Sequence, residues 1–438
     1  MRCLVNKHVT IIGGGIAGLA ASIILARAGH TVTIFERRRY LGGRAVTHLR
    51  HGFRFNLGPH AFYRGGSGWD VLRQLGVPVR GGRPKPKGLA LRGGETHKFP
   101  GRIWSMLTTS LFGASGKFEA AKLLLRIRRI DAKRYAGMNV NEWVEANVSD
   151  PNVRQAIHAM FRLATYCDRP DLQSAAAALK HLKLAMRGVI YIDEGWQKLV
   201  DAMHSSAVAA GVNFVTSSSV VGVDVADGAV RGIELGGLEI ETSKDTLTAV
   251  ALPNLDDAEK GTRLPASTVI LAVDPATARE LVLSLEVPKL TPVIASCLDV
   301  ALSRLPNPAR LFALGIDRPV YYSVHSAYAQ LTPSGGALIH LAKYGGNPDA
   351  EQELERLLDD LQPGWRDVVV HRRFLPSMVV SNAIAEPARD GAAKRPGPST
   401  PIRGLYLAGD WVGDDGILSD AALSSARAAA KAILAVAG

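Results

Sequence analysis

Val9-Thr-Ile-Ile-Gly-Gly-Gly-Ile-Ala-Gly-Leu-Ala-Ala-Ser22, joined through a helical run to Thr31-Val-Thr-Ile-Phe-Glu36, is the stretch on which the fold turns. His8 to Ile12 is apolar and β-branched and reads as a buried parallel strand. Gly13, Gly15 and Gly18 then fit G-x-G-x-x-G, and each has a steric role. Gly13 permits the tight turn out of the strand, Gly15 lets a pyrophosphate approach the backbone, and Gly18 lets the next helix lie close on the sheet. Ile16 and Ala17 open that helix, whose N-terminus offers unpaired N–H groups and a positive dipole end to a phosphate. The helix runs to Ala28, and Gly29 stands where a C-terminal glycine belongs. Glu36 closes the second strand, where a carboxylate accepts hydrogen bonds from a ribose diol and repels a 2′-phosphate. Strand, glycines, helix, strand and acid in that order weigh against a Gly-rich turn without a ligand. Val9 to Ala26 has only Thr10 and Ser22 as polar interruptions and is long enough to cross a bilayer. Its three consecutive glycines and β-branched start assign it to strand, turn and helix instead.

After Glu36 come Arg37-Arg-Arg-Tyr-Leu-Gly42-Gly43-Arg44-Ala45. Near the other end stand Gly404-Leu-Tyr-Leu-Ala-Gly409-Asp410 and Gly416-Ile417-Leu-Ser-Asp-Ala-Ala, followed by an Ala-rich helix. Together these resemble the two signatures of the FAD-dependent amine oxidase and phytoene-desaturase-like superfamily, nearer to its desaturase-like branch. The resemblance covers both ends well and the middle loosely. It implies an α/β fold: a discontinuous Rossmann-like FAD-binding domain with an inserted α+β substrate domain. It also implies that Arg37 and the Gly42-Gly43-Arg44 loop lie along the FAD, with that loop covering the pyrophosphate and approaching the isoalloxazine. Gly409 and Asp410 would bind the ribityl chain, and the helix after Gly416 and Ile417 would point at the flavin.

The domain blocks expected on this basis are 1–85, 189–290 and 386–438 for the FAD domain. The substrate domain takes 86–188, mostly helical, and 291–385, mostly sheet. Phe53, Phe55 and Leu57 alternate as a strand, with a turn at Gly58-Pro59. Similar segments in the family set such a turn beside the flavin ring, so His60 touches isoalloxazine or substrate; a satisfied turn histidine has equal weight. Residues 81–101, rich in Gly, Pro, Lys and Arg, read as a connecting loop with a short hairpin at Gly93-Gly94. Trp104 to Lys183 is helical in pattern. Over 117–134, Ala120, Leu123, Leu124, Ile127 and Ile130 share one side, and Lys122, Arg126, Arg129 and Lys133 another. Such a helix can lie on an anionic membrane, although a solvated basic face is the plainer reading. Gly188 to Gln197 resembles the return into the FAD domain. Val220 matches by pattern the valine whose backbone holds the adenine, and a plain hairpin strand explains it equally well. Val269 to Pro275 is another buried parallel strand. From Pro292 to Pro376 short β-rich runs alternate with one helix at 350–361.

The 438 residues hold 52 Lys and Arg against 40 Asp and Glu, a net charge of +12. This excess favours anionic surfaces or an acidic substrate, and with no nucleic-acid motif beside it no nucleic-acid partner is expected. Three cysteines, Cys3, Cys167 and Cys297, are widely spaced; they suggest no disulfide framework, and no metal site is read. No signal-peptide pattern is seen, and a cytoplasmic protein, peripheral to the membrane at most, is expected. The oligomeric state is not legible.

The chemistry falls to the cofactor. Amine oxidases of the superfamily usually carry an aromatic residue just after the glycine of the carboxy-terminal motif, where Ile417 stands here. They also carry a lysine on a substrate-domain strand; the strand most like it, Val293 to Ala301, has none. An aliphatic wall at Ile417 suits an apolar isoprenoid- or polyketide-like substrate, with His60 the nearest polar group. Amine oxidation with O2 is the alternative. A flavin-free escort protein of the same fold is a third reading, against which Gly13, Gly15, Gly18, Glu36 and Asp410 all stand.

Overall fold

The computed structural model describes residues 7–101, 103–238, 261–347, 349–388 and 395–437. Cys3 lies outside them, and so does part of the Pro-, Ala- and Gly-rich stretch 383–401 that precedes strand Leu405–Leu407.

The opening stretch folds as its residues dictate: strand His8–Ile12, helix Ile16–Arg27 and strand Thr31–Phe35. Gly29 sits at φ +91, the left-handed conformation that ends the helix. These strands occupy a five-stranded parallel sheet in the order Asn213–Val215, Thr31–Phe35, His8–Ile12, Val269–Leu271, Leu405–Leu407. Its strands come from four stretches far apart in the chain. Alternate side chains serve the two faces. Val9, Ile11, Val32 and Ile34 pack with helix Ile16–Arg27, helix Trp196–Ala209 and the terminal helix Leu418–Ala437. Ile12, Phe35, Val269 and Leu271 pack on the opposite side, with Val223, Val230 and Ile233 of a three-stranded antiparallel sheet. Each fully buried Ile or Leu contributes about 1.5–3 kcal/mol, so two covered faces hold the sheet firmly.

The second architectural unit is a seven-stranded sheet. Its order is Val369–Ser381, Val293–Leu302, Ala337–Tyr344, Val320–Val324, Phe312–Gly315, Leu89–Arg92, Glu95–Lys98. Leu298, Val300, Ile339 and Leu341 face helix Ala350–Leu361 through Leu354, Leu357, Leu358 and Leu361. Ala295, Cys297 and Ala342 face the helices Ala114–Arg129, Val140–Asn147, Pro151–Thr165 and Ala175–Arg187.

Two local expectations are corrected. The hairpin at Gly93-Gly94 forms, but residues 89–98 are no mere connector: their strands are the edge of the seven-stranded sheet, because Ala90 and Leu91 bury their side chains there. The basic helix spans Ala114–Arg129 rather than 117–134. Ile130 turns extended (ψ 135), and Asp131 caps a new 3-10 turn, Ala132–Tyr135, by accepting from the Lys133 N–H. Lys133 therefore leaves the helical row of Lys122 and Arg129. Among the described residues no helix is long and apolar enough to cross a membrane.

Candidate cofactor and substrate site

Gly13, at φ +108, lies so close to the end of the neighbouring strand Val269–Leu271 that a Cβ there would stand 2.5 Å from the Ala272 carbonyl oxygen. A Cβ on Gly18 would stand 2.0 Å from the Gly13 carbonyl oxygen, so the helix lies on its own turn. Gly15 differs: its φ is −75 and no atom lies within 4 Å of a Cβ built on it. The space over Gly15 is open, no side chain caps the helix there, and the helix's first N–H groups face it. These are the features of a cradle that a pyrophosphate fills. Ile16 is half-buried and Ala17 buried in the first turn below it.

Glu36 lies at the other side of the cradle. Its Oε2 accepts from the Gly14 N–H (2.8 Å) and its Oε1 from the Arg38 N–H (2.9 Å), which leaves lone pairs on both oxygens for a diol. Arg37 is exposed beside it. Ser218 N–H donates to the Glu36 carbonyl (3.1 Å), so strand Ser218–Ala226 starts against the acid, and half-buried Val220 follows two residues on. Gly42, at φ +121, donates to the Gly14 carbonyl (2.9 Å), and Gly43 follows at φ +56. The Gly42–Arg44 loop is thereby tied along the glycine turn.

Arg44 reaches across the chain to Asp410. The pair is bidentate, at 2.9 and 2.8 Å, and Asn382 adds its backbone N–H (3.0 Å) and its side-chain amide (2.9 Å). The four lone-pair sites of the Asp410 carboxylate are taken, so the polar group this assembly presents to the cleft is the Arg44 guanidinium, 45% accessible. Burial alone would raise Asp410, but the Arg44 charge and the Asn382 donors hold it below the ordinary carboxylate range. Arg395 fixes the same loop by donating to the carbonyls of Asp410 and Gly416. Gly409 is anchored through Ser425 Oγ (2.9 Å), and Ile417 is buried at the entry to the terminal helix.

The Gly58-Pro59-His60 turn packs against the substrate sheet. Gly58, at φ +73, is so close that a Cβ would meet Met378 Cε at 2.9 Å and Cys297 Sγ at 3.0 Å. Cys297 is fully buried, and burial holds its thiol neutral, well above its ordinary range. The Pro59 carbonyl accepts from Tyr166 Oη (3.2 Å). His60 Nδ1 lies 3.1 Å from the Gly58 carbonyl, and its ring meets Trp196 edge-on at 5.0 Å. Burial pushes His60 down to about 4, against the pull of the Gly58 and Arg44 carbonyls, so the ring is neutral at pH 7.

Sequence reasoning missed the buried polar cluster beneath this turn. Asp299 Oδ1 pairs with His340 Nδ1 at 2.6 Å, and Oδ2 with Arg373 at 2.5 Å; Arg373 also donates to the Asn56 carbonyl, two residues before Gly58. Desolvation would raise Asp299, but His340 and Arg373 hold it below the usual carboxylate range. His325 stacks on Tyr191 (3.8 Å, 9°) and meets Tyr321 Oη at 3.1 Å. The available signal was a lone acid inside the apolar run Val293 to Leu302: an ionised group in a buried strand needs a partner.

One carboxyl at the entry to the terminal helix is strained electrostatically. Asp420 is buried, accepts from the Gly68 N–H (2.9 Å), and leaves Oδ2 without a partner, so desolvation raises it to about 6. A raised acid stabilises the fold below its unfolded value, and that contribution is lost as the pH rises through about 6. Relative to Asp420→Asn, the wild type should therefore lose about 3 kcal/mol between pH 3 and pH 7. Denaturant titrations of both proteins across that range check this; parallel pH profiles would refute it.

The sequence pattern of the family described as flavin containing amine oxidoreductase matches residues 16–434. A local stretch is similar to 4,4'-diaponeurosporene oxygenase of Staphylococcus aureus, 41% identical over 54 residues, which are 12% of this chain and 11% of that protein. The chain thus matches about a tenth of the length of that curated relative. Among solved structures, an oxidoreductase from Methanosarcina mazei superposes with a TM-score of 0.72 at 21% identity, covering 96% of this chain and 99% of that one. Putrescine oxidase bound to putrescine gives 0.69 at 16%, covering 98% and 99%. A Rab GDI from Plasmodium falciparum gives 0.64 at 13%, covering 98% of each chain. These likenesses establish a shared fold. The family match over nearly the whole chain says more: this protein belongs to the flavin-containing amine oxidoreductases, and is a flavin-dependent oxidoreductase.

Proposed function

We propose that the flavin is FAD and that the enzyme dehydrogenates an apolar, isoprenoid- or polyketide-like substrate. The open cradle over Gly15, the Glu36 carboxylate for a ribose diol and the Arg44 guanidinium suit the two halves of that dinucleotide. When bound, the flavin accepts a hydride at N5.

The observation that carries the substrate class is the wall against the Gly58–His60 turn. Strand Val293–Leu302, which carries no lysine, brings Cys297 there, with Met378 beside it. Ile417 adds an aliphatic side chain at the entry to the terminal helix, and none of these side chains offers an amine a charged partner, which suits an apolar substrate. Dehydrogenation also removes a proton. Neutral His60, with Nδ1 against the Gly58 carbonyl, keeps a lone pair on its other ring nitrogen at pH 7. Its low basicity makes it a weak acceptor, which suits a step in which hydride departure leads.

The test is anaerobic incubation of the FAD-loaded protein with panels of isoprenoids, polyketides and amines, following loss of flavin absorbance. Bleaching by an apolar panel member, and none by putrescine or other simple amines, is expected. Rapid bleaching by amines alone would overturn the reading in favour of amine oxidation.

A further inference from the structure

Helices Ile103–Thr108 and Ala114–Arg129 pack together, and both turn apolar side chains outward. Trp104 is 79% exposed, Leu107 49%, Phe118 74% and Leu125 54%. Trp104 and Phe118 are the exposed members of the Trp and Phe residues among the described residues; the others are buried or half-buried. Two such rings in water on adjoining helices are not explained by the core, which takes Ala120, Leu123 and Ile127 from the same helix.

Phe118, Lys122, Leu125 and Arg129 stand at i, i+4, i+7 and i+11, so they form a single stripe, alternately apolar and cationic. Between Ala114 and Arg134 there are seven Lys and Arg and two acids. Both acids are engaged: Glu119 turns inward to the backbone N–H groups of Ser149 and Asp150, and Asp131 caps the next turn. Lys122, Arg128 and Arg129 have no ion-pair partner among the described residues, while Arg126 is bonded to Asn147.

We propose that this face docks on an anionic lipid bilayer. Phe118, Leu125, Trp104 and Leu107 enter the headgroup–acyl boundary, and the stems of Lys122 and Arg129 lie along it while their charges reach lipid phosphates. An aromatic and aliphatic stripe flanked by free cations fits that boundary, which is apolar on one side and anionic on the other. The surface uses none of the residues of the proposed reaction and requires no apolar substrate, so it stands or falls apart from that chemistry.

The experiment is co-sedimentation of the flavin-loaded protein with vesicles of phosphatidylcholine, with and without phosphatidylglycerol. Binding to the anionic vesicles, falling as salt is raised, is expected. Lys122→Gln with Arg129→Gln should lower the partition coefficient roughly 30-fold, since each cation near such a surface adds about a factor of five. Phe118→Ser with Leu125→Ser should lower it at least as far while flavin content and melting stay unchanged, because these side chains are exposed. Absence of binding to either vesicle, or binding that both double variants retain, would overturn the proposal. So would self-association that Phe118→Ser abolishes, because a second copy would then be what covers the face.

Discussion

Replacing Asp299 with alanine should destabilise the fold by about 3–5 kcal/mol, the loss expected when one member of a buried ionic network is removed. His340 is fully buried and Arg373 is 21% accessible, so little water can replace the lost carboxylate. Asp299→Asn keeps an acceptor oxygen and should lose less, leaving the packing intact but the Arg373 charge unbalanced. The pH dependence gives a second signature. Because the native carboxylate is held below its unfolded value, its contribution is complete above about pH 4 and is lost as the pH falls further. The difference between wild type and Asp299→Ala should therefore shrink in acid. Arg373 also donates to the Asn56 carbonyl, so the variant should loosen the Gly58–His60 turn along with the sheet. Chemical denaturation at pH 7 and pH 3 measures both effects. A loss under about 1 kcal/mol at neutral pH would mean that the network relaxes around the missing side chain and is not held as a unit.

The second large effect separates two glycines of one motif. Gly18→Ala sets a methyl group 2.0 Å from the Gly13 carbonyl oxygen, a backbone atom that cannot swing away. Alanine's better helix propensity offsets at most about 1 kcal/mol, whereas forcing helix and turn apart costs about 1–3 kcal/mol or more. This variant should melt earlier and purify without flavin. Gly15→Ala meets no protein atom within 4 Å and keeps an ordinary φ of −75. It should melt almost as the wild type does when flavin is absent, yet hold flavin more weakly, because the added methyl group occupies the cradle. Thermal melts with and without added FAD, together with flavin absorbance per chain, distinguish the cases. Equal behaviour of the two variants would show that Gly15, like Gly18, is kept for packing alone.

What the sequence made legible was local. The order strand, glycines, helix, strand, acid lies within 29 residues, and each element follows from its neighbours' size and polarity. Helix Ala350–Leu361 was equally readable from its periodic leucines. The end of the basic helix at Arg129 was written in Asp131, a capping residue, but an apolar Ile130 in phase with the core stripe concealed it. Asp299, His340 and Arg373 stood too far apart to be joined: their contacts span 41 and 74 residues and need three strands in register. Phe118 and Leu125 escaped for a different reason, since periodicity assigns apolar residues inward and has no way to mark those that the fold turns outward.

The bond between Arg44 and Asp410 crosses 366 positions. At synthesis rates of about 5–20 residues per second, Arg44 leaves the ribosome roughly 20–70 seconds before its partner exists. Strand Leu405–Leu407, the last member of the parallel sheet, arrives at the same late moment, so Val269–Leu271, made earlier in the chain, has one flank uncovered for roughly 7–27 seconds. An unpaired edge of Val, Ile and Leu invites pairing with other chains. Nascent-chain chaperoning, or slowed growth at lower temperature, should thus govern the yield of this enzyme more than the strength of its finished core.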